Sequence, residues 1–263
     1  EVEVLSKIHN GPLESIDQSF EKLSTYFKFH GIPGTGWIRL IFHKYDKNDP
    51  KNNEIEIQKG IHPWDKKLAN SLDRVLGEKA RRKIMKGRED LFTIKSRNEE
   101  RTQWIKSVIE RIDRVAKEYE KYDILSLCAH NFSQKRIDNL RSIYKETGNI
   151  NKIIEEMHKD YAWYEDPVLK DNVIYITKIP YDPEGFEKAQ TLEEKKAKYC
   201  HCPLVRNHFN EGISSTFCNC STGWYRQLWE GILERPVRIK ILKSLIKGDE
   251  NCEFAIYLPT HSS

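Results

Sequence analysis

The chain has 263 residues, enough to bury a sizeable core in one large domain or two small ones. Hydrophobic residues make up 38% and charged residues 32%, yet 6 Trp, 12 Tyr and 10 Phe supply ample apolar surface, so the sequence reads as folded. A net charge of +4 with acids and bases interleaved argues against a dedicated polyanion binder. No apolar run approaches the ~18 residues of a membrane helix, and no basic-then-apolar leader opens the chain.

Residues 12–30 read as a helix, with Leu13, Ile16, Phe20, Leu23 and Phe27 at intervals of three and four. The glycines of the breaker at 31–36 are followed by a strand and carry no Gly-Lys-Ser/Thr, which argues against a phosphate loop. Trp37 to Tyr45 then reads as a strand, and Glu54 to Gln58 as its partner. Residues 63–87 have helical periodicity and a basic run of Arg74, Lys79, Arg81, Arg82, Lys83, Lys86 and Arg88. Glu78 and Glu89 dilute that run and no aromatics interleave, so a solvated helix face is preferred to a nucleic-acid patch. A long amphipathic helix is expected over 99–122, its stripe running from Trp104 through Val108, Ile112 and Val115 to Tyr119 and Tyr122. Two more helices follow at about 133–146 and 150–162, then a strand over 172–179, a turn at 180–185 and a charged helix over 187–198. Helix 222–234, capped by Ser221 or Thr222, leads through Pro236 into a hairpin that turns at Gly248-Asp249. On its second strand Cys252 alternates in phase with Phe254, which aims both at one core. The division expected is a mainly helical part with a short strand pair, residues 1–165, and an α/β unit, residues 166–263. A seam near 125 is the alternative.

Six cysteines are too few for a disulfide scaffold in a chain this long, and their spacing matters more than their number. Cys200 and Cys202 form one Cys-x-Cys pair, and Cys218 and Cys220 a second. On extended backbone, residues two apart share a face, so each pair would aim two sulfurs at one point. A disulfide within either pair would be strained. Two thiolate pairs meeting across a loop suit a tetrahedral zinc site in a reducing cell. The competing readings are free reactive thiols served by a histidine base (His130, His201 or His208), and reduced cysteines packed as small core residues.

The closing segment, with its helix followed by Pro-Val-x-Ile-x-Ile and Gly-Asp-x-x-Cys-x-Phe-x-Ile, resembles the end of the 4-vinyl reductase domain superfamily. That superfamily includes the ligand-sensing domains of phenol-responsive bacterial activators. The fuller string, with Cys-x-Cys-Pro and Cys-x-Cys-Ser-x-Gly-Trp, is similar to an uncharacterised bacterial cysteine-rich family related to it. The resemblance spans roughly residues 120–258 and is strongest from 199 onward. It implies an α/β small-molecule-binding unit with a structural zinc held by a Cys before the helix, a Glu and a Cys on the first hairpin strand, and a Cys after the turn. Cys220 (or Cys218) and Cys252 match the first and last of these positions. Ser244 and Ile241 stand at the other two, so that site does not transfer intact. Cys128, beside His130, falls where the cysteine-rich relatives carry a further Cys motif.

The expectation is therefore an α+β protein of the cytoplasm that binds or senses a small organic molecule. Zinc is expected on Cys200, Cys202, Cys218 and Cys220, with Cys128, His130, His201 and Cys252 as additional thiol or metal candidates. Trp224, Tyr225 and Trp229 would line an aromatic pocket, with Arg206 and Arg226 placed to bind a carboxylate. An enzyme using a cysteine thiolate or zinc-bound water is the first alternative, and an interaction module with structural zinc the second. Neither nucleic acid nor membrane is expected as a partner, and the oligomeric state is open, a dimer included.

Overall fold

The computed structural model describes residues 4–29, 34–61, 63–87, 98–159, 165 and 167–259. The protein is α+β, with two antiparallel sheets embedded in a largely helical chain.

The first sheet is made by β1 (Val4–Asn10), β2 (Gly34–Lys44) and β3 (Glu54–Ile61), in the order β1-β3-β2. The expected β2–β3 pair is present, and β3 runs on to Ile61. Helix α1 (Ile16–Phe29) covers one face of this sheet, where Leu23 and Phe27 close over Ile57 to form a small core of its own.

The helical pattern of 63–87 is two helices, α2 (Trp64–Leu76) and α3 (Glu78–Ile84). Gly77 separates them at φ +83°, a left-handed backbone that costs glycine nothing. The basic run is spent locally, with Arg81 on Asp73 at 2.7 Å and Arg82 on Glu78 at 2.6 Å; Arg88 lies outside the described residues. The long helix expected over 99–122 also divides, into α4 (Asn98–Val115) and α5 (Glu118–Ser126). Lys117 is extended, and its backbone N–H donates to the Glu120 carboxylate at 2.7 Å, which starts the second helix. The break changes the phase of the stripe: Ile105, Val108, Ile109 and Ile112 are buried, but Val115 and Tyr119 are exposed.

Helices α6 (Gln134–Thr147) and α7 (Ile150–Lys159) follow, then β4 (Val168–Lys170) and β5 (Val173–Thr177). In place of one charged helix there are α8 (Pro183–Lys188) and α9 (Leu192–Tyr199), the latter opened by a reciprocal Thr191–Glu194 cap. The last helix, α10 (Asn219–Leu233), leads into β6 (Arg238–Lys243) and β7 (Glu253–Tyr257). It begins three residues earlier than expected. Thr222 is no cap: it is fully buried, and its hydroxyl donates back to the Asn219 carbonyl at 2.7 Å. The second sheet has the order β4-β5-β7-β6, so β5 sits beside the closing hairpin and lines up Ile174, Ile256 and Ile239 in one row.

Two larger cores result. The first packs α2, α4 and α5 with Leu204, Val205, Ile213 and Phe217. The second packs α6 and α7 with α10 and the second sheet. Each draws side chains from both sides of residue 165, so the expected division at 165/166 runs through both cores instead of between them. In the first core the later side chains come from the 204–217 segment and in the second from α10 and the second sheet, while α10 itself lies against both α5 and α6.

Candidate thiol site

The cysteines lie where the two larger cores meet. Cys200, Cys202 and Cys220 pack on the edge of the first core, Cys128 is buried within it, and Cys252 packs against the second. Three separate segments bring the five outer thiols together. Cys200 ends α9, whose last residue, Tyr199, fixes its own hydroxyl between two strands: it donates to the Lys178 carbonyl and accepts the Cys252 N–H. The Lys178 N–H in turn donates to the Cys252 carbonyl at 2.9 Å. The link from α9 to β7 thus runs through the residues next to two of the thiols. Cys218 and Cys220 sit at the start of α10, and Gly223 allows that helix to touch α5: a methyl group there would stand 1.7 Å from the Ser126 carbonyl oxygen.

The two Cys-x-Cys pairs differ in backbone. Cys200 is extended, at φ −68° and ψ 125°. Cys218 is helical, at φ −64° and ψ −15°, the last residue of a 3-10 turn (Ser215–Cys218) that runs into α10. Residues two apart on helical backbone point to different sides, so the second pair does not aim at one point as expected. Cys218 faces Cys200, Cys252 and the buried hydroxyl of Ser244. Cys220 faces the Trp64 indole, with Lys67 and Lys178 nearby. Cys202 lies within electrostatic reach of both Cys218 and Cys220. Among the described residues no three His, Cys, Asp or Glu side chains are grouped as they would be around a single metal ion.

Burial dominates the electrostatics. It pushes the Cys200, Cys202 and Cys218 thiols up to about 12, with neighbouring thiols adding to the rise. Cys220 is also raised by burial, to about 11; the Trp64 indole and the Lys67 and Lys178 charges pull the other way. Burial raises Cys252 as well, and Cys128 rises well above the ordinary thiol range. Cys128 donates to the Ile124 carbonyl at 3.3 Å, the bond of a protonated thiol on a helix.

The other sequence candidates fall around this cluster in structural roles. His201 holds the Ile179 carbonyl through Nε2 at 2.9 Å. Burial, with Lys178 and Arg206 nearby, lowers its imidazole to about 4, so it is neutral at physiological pH. The His130 carbonyl accepts from Gln227 at 2.8 Å. His208 pairs with Glu211 at 2.5 Å. Arg206 lies 3.6 Å over the Tyr181 ring and donates to the Cys200 and His201 carbonyls, so it braces the Cys-x-Cys loop. Arg226 is engaged by Glu230, Asp123 and Ser126. Tyr225 and Trp229 are buried in the second core, the Tyr225 hydroxyl donating to Glu165 at 2.8 Å. Trp224, only partly buried, leans on Phe132 with ring centroids 4.6 Å apart. Sequence reasoning passed over Lys67, Lys178, Tyr199 and Trp64. Only their position in the fold marks them out.

Among the described residues no helix is long and apolar enough to cross a membrane. No curated protein and no solved structure matches the chain. The model of a family of unknown function (DUF6144) matches residues 186–262, a stretch that runs from α8 through β7 and holds the five outer thiols.

Proposed function

We propose that the protein binds or senses a small organic molecule and that its defining site is the thiol cluster, occupied by zinc. One observation carries the zinc reading: five thiols from three distant segments meet at one seam, each raised by burial against ionisation. Reduced cysteines can also pack as small core residues, and the convergence of five from three segments is what favours a shared cation over packing alone. A divalent cation can replace the thiol protons and offset the burial of the resulting thiolates, and sulfur donors suit zinc. Cys200, Cys202, Cys218 and Cys220 are the residues that would hold it, with Cys252 as an additional candidate, and bound zinc would supply structure or Lewis acidity.

Cys128 is left out of the set, because its S–H is engaged by its own helix. The enzyme reading is less well supported. A thiol of pKa near 12 is ionised to only about one part in 10⁵ at pH 7, which makes these cysteines poor nucleophiles without metal. The small-molecule half of the proposal rests on the family resemblance. Of the three aromatic candidates, Trp224 alone keeps surface free for a ligand, since Tyr225 and Trp229 are enclosed in the core. None of the six cysteines is joined in a disulfide, in keeping with the proposed reducing compartment such as the cytoplasm.

Elemental analysis of protein purified under reducing conditions tests the zinc reading. About one zinc per chain is expected, with most thiols unreactive toward a thiol reagent until a chelator is added. Protein with no bound metal, and thiol titration unchanged by chelation, would refute it. Iron with acid-labile sulfide would keep the site and replace its occupant.

A further inference from the structure

We propose that the outer face of the second sheet binds single-stranded RNA, with Tyr175 and Tyr257 stacking on bases and Lys170, Arg238 and Lys240 meeting phosphates. This face lies on the side of the sheet away from the second core, and the proposal is independent of the zinc reading.

Alternation divides the sheet into two faces. Ile174, Ile176, Ile239, Phe254 and Ile256 turn inward and are buried in the core shared with α6, α7 and α10. The residues between them turn outward, and the register sets them in two rows across the four strands. From β4 to β6 one row reads Lys170, Val173, Tyr257, Arg238, and the next reads Val168, Tyr175, Ala255, Lys240. The two tyrosines therefore stand on neighbouring strands, offset by two residues and about 7–8 Å apart. That span suits successive bases of an extended strand. Tyr175 is 40% exposed and Tyr257 36%, so both rings are open to a partner.

Cations frame the rings. Arg238 is the direct neighbour of Tyr257 in its row, and the Lys240 ammonium stands 5.3 Å from the Tyr257 ring centroid. Lys170 closes the same row at the opposite edge. All three cations are exposed, and among the described residues none is paired with a carboxylate; at the rim, by contrast, Lys243 is held by Glu253 at 2.7 Å. Unpaired positive charge beside open aromatic rings matches a chain of phosphates and bases. An acidic peptide would answer the charge and leave the rings nothing to stack on. RNA is assigned over DNA because proteins read RNA mostly where its bases are unpaired, whereas DNA keeps its bases in a duplex. The modest net charge and the diluted basic run at 74–88 do not bear on this face, whose residues come from three separate stretches of chain.

Fluorescence anisotropy of a labelled, unstructured RNA of about 12 nucleotides, titrated with the full chain, tests this. Tyr175→Ala and Tyr257→Ala should each weaken binding roughly 5-fold or more, while Tyr175→Phe and Tyr257→Phe stay near wild type. Arg238→Gln combined with Lys240→Gln should lower the slope of log affinity against log salt by about 1.4, the loss of two phosphate contacts on a single strand. A wild-type chain that does not bind at ~100 µM in low salt overturns the proposal. So do alanine variants within about twofold of wild type, which would place binding elsewhere, and phenylalanine variants as weak as the alanine ones, which would deny stacking. Single-stranded DNA of the same sequence bound as tightly overturns the assignment to RNA. Displacement by polyglutamate as readily as by unlabelled RNA overturns it in favour of a general polyanion surface.

Discussion

At residue 223 the chain has no room for even one added carbon. The position belongs to the Cys-x-Cys-Ser-x-Gly-Trp string, and a Cβ there would lie 1.7 Å from the Ser126 carbonyl oxygen and 2.8 Å from the Ala129 Cβ. Backbone atoms cannot yield as a flexible side chain can. Gly223→Ala should therefore push α10 off α5 and cost about 2–3 kcal/mol or more in urea unfolding, with the Cys128 and Cys220 region losing its packing first. Unchanged stability would mean that the two helices are not in contact. The same string shows what the sequence makes legible at this scale. Cysteines in short pairs announce a site because their chemistry is rare and their spacing is fixed. Lys67 and Lys178 announce nothing, since they are two of 44 basic residues and only the fold brings their charges to bear on Cys220. The aromatic residues misled for a related reason: Tyr225 and Trp229 sit on the inward stripe of α10, and periodicity does not distinguish a pocket wall from a core.

Between elements, the thiol segment is tied to the helical core by Asp113 of α4. Its carboxylate accepts from the Thr216 hydroxyl at 2.7 Å and pairs with Lys121 at 3.2 Å, and Thr216 lies in the 3-10 turn that ends at Cys218. Burial pushes the Asp113 pKa up, but hydrogen bonds from Ser214, Thr216 and Lys121 outweigh it and leave it below the ordinary value. A lowered carboxylate stabilises the fold above its unfolded pKa, ~3.9, and that contribution fades as pH falls through the lower folded value. Asp113→Asn should thus cost about 1–2 kcal/mol at neutral pH, with the gap to wild type closing below about pH 4. A gap that persisted at low pH would show that the charge is not the cause. Elements were legible wherever apolar period was strong, as in α1, α4, α10 and the closing hairpin. Their ends were less so, because Gly77 and Lys117 break helices without breaking the apolar pattern. Strand β1 was missed because its inward positions are Leu5, Lys7 and His9, so burial alternates but hydrophobicity does not. The insertion of β5 beside β7 joins residues about eighty positions apart, and local sequence carries no trace of such a pairing.

On the scale of the whole molecule the thiols occupy the joint between the two larger cores, while the first sheet has a core that is separate from both. A cation bound at that joint stabilises the folded state by mass action, by about 4 kcal/mol when free metal exceeds its dissociation constant 1,000-fold. If zinc binds there, removing it would restore several buried thiols to their protonated state and take away a link among α9, α10 and β7, leaving the Tyr199 hydroxyl to join α9 to the start of β7. The loss should therefore be regional. After chelation, amide hydrogen exchange should speed up across residues 199–206, through the first turns of α10 and around Cys252, and then in the face of α2 that carries Trp64 and Lys67. Strands β1 to β3 should exchange at their original rate, since Leu23, Phe27 and Ile57 make no use of the joint. Acceleration spread evenly over the chain would mean that metal supports the fold globally. No acceleration anywhere would mean that the sulfurs hold the joint by packing, with no cation between them.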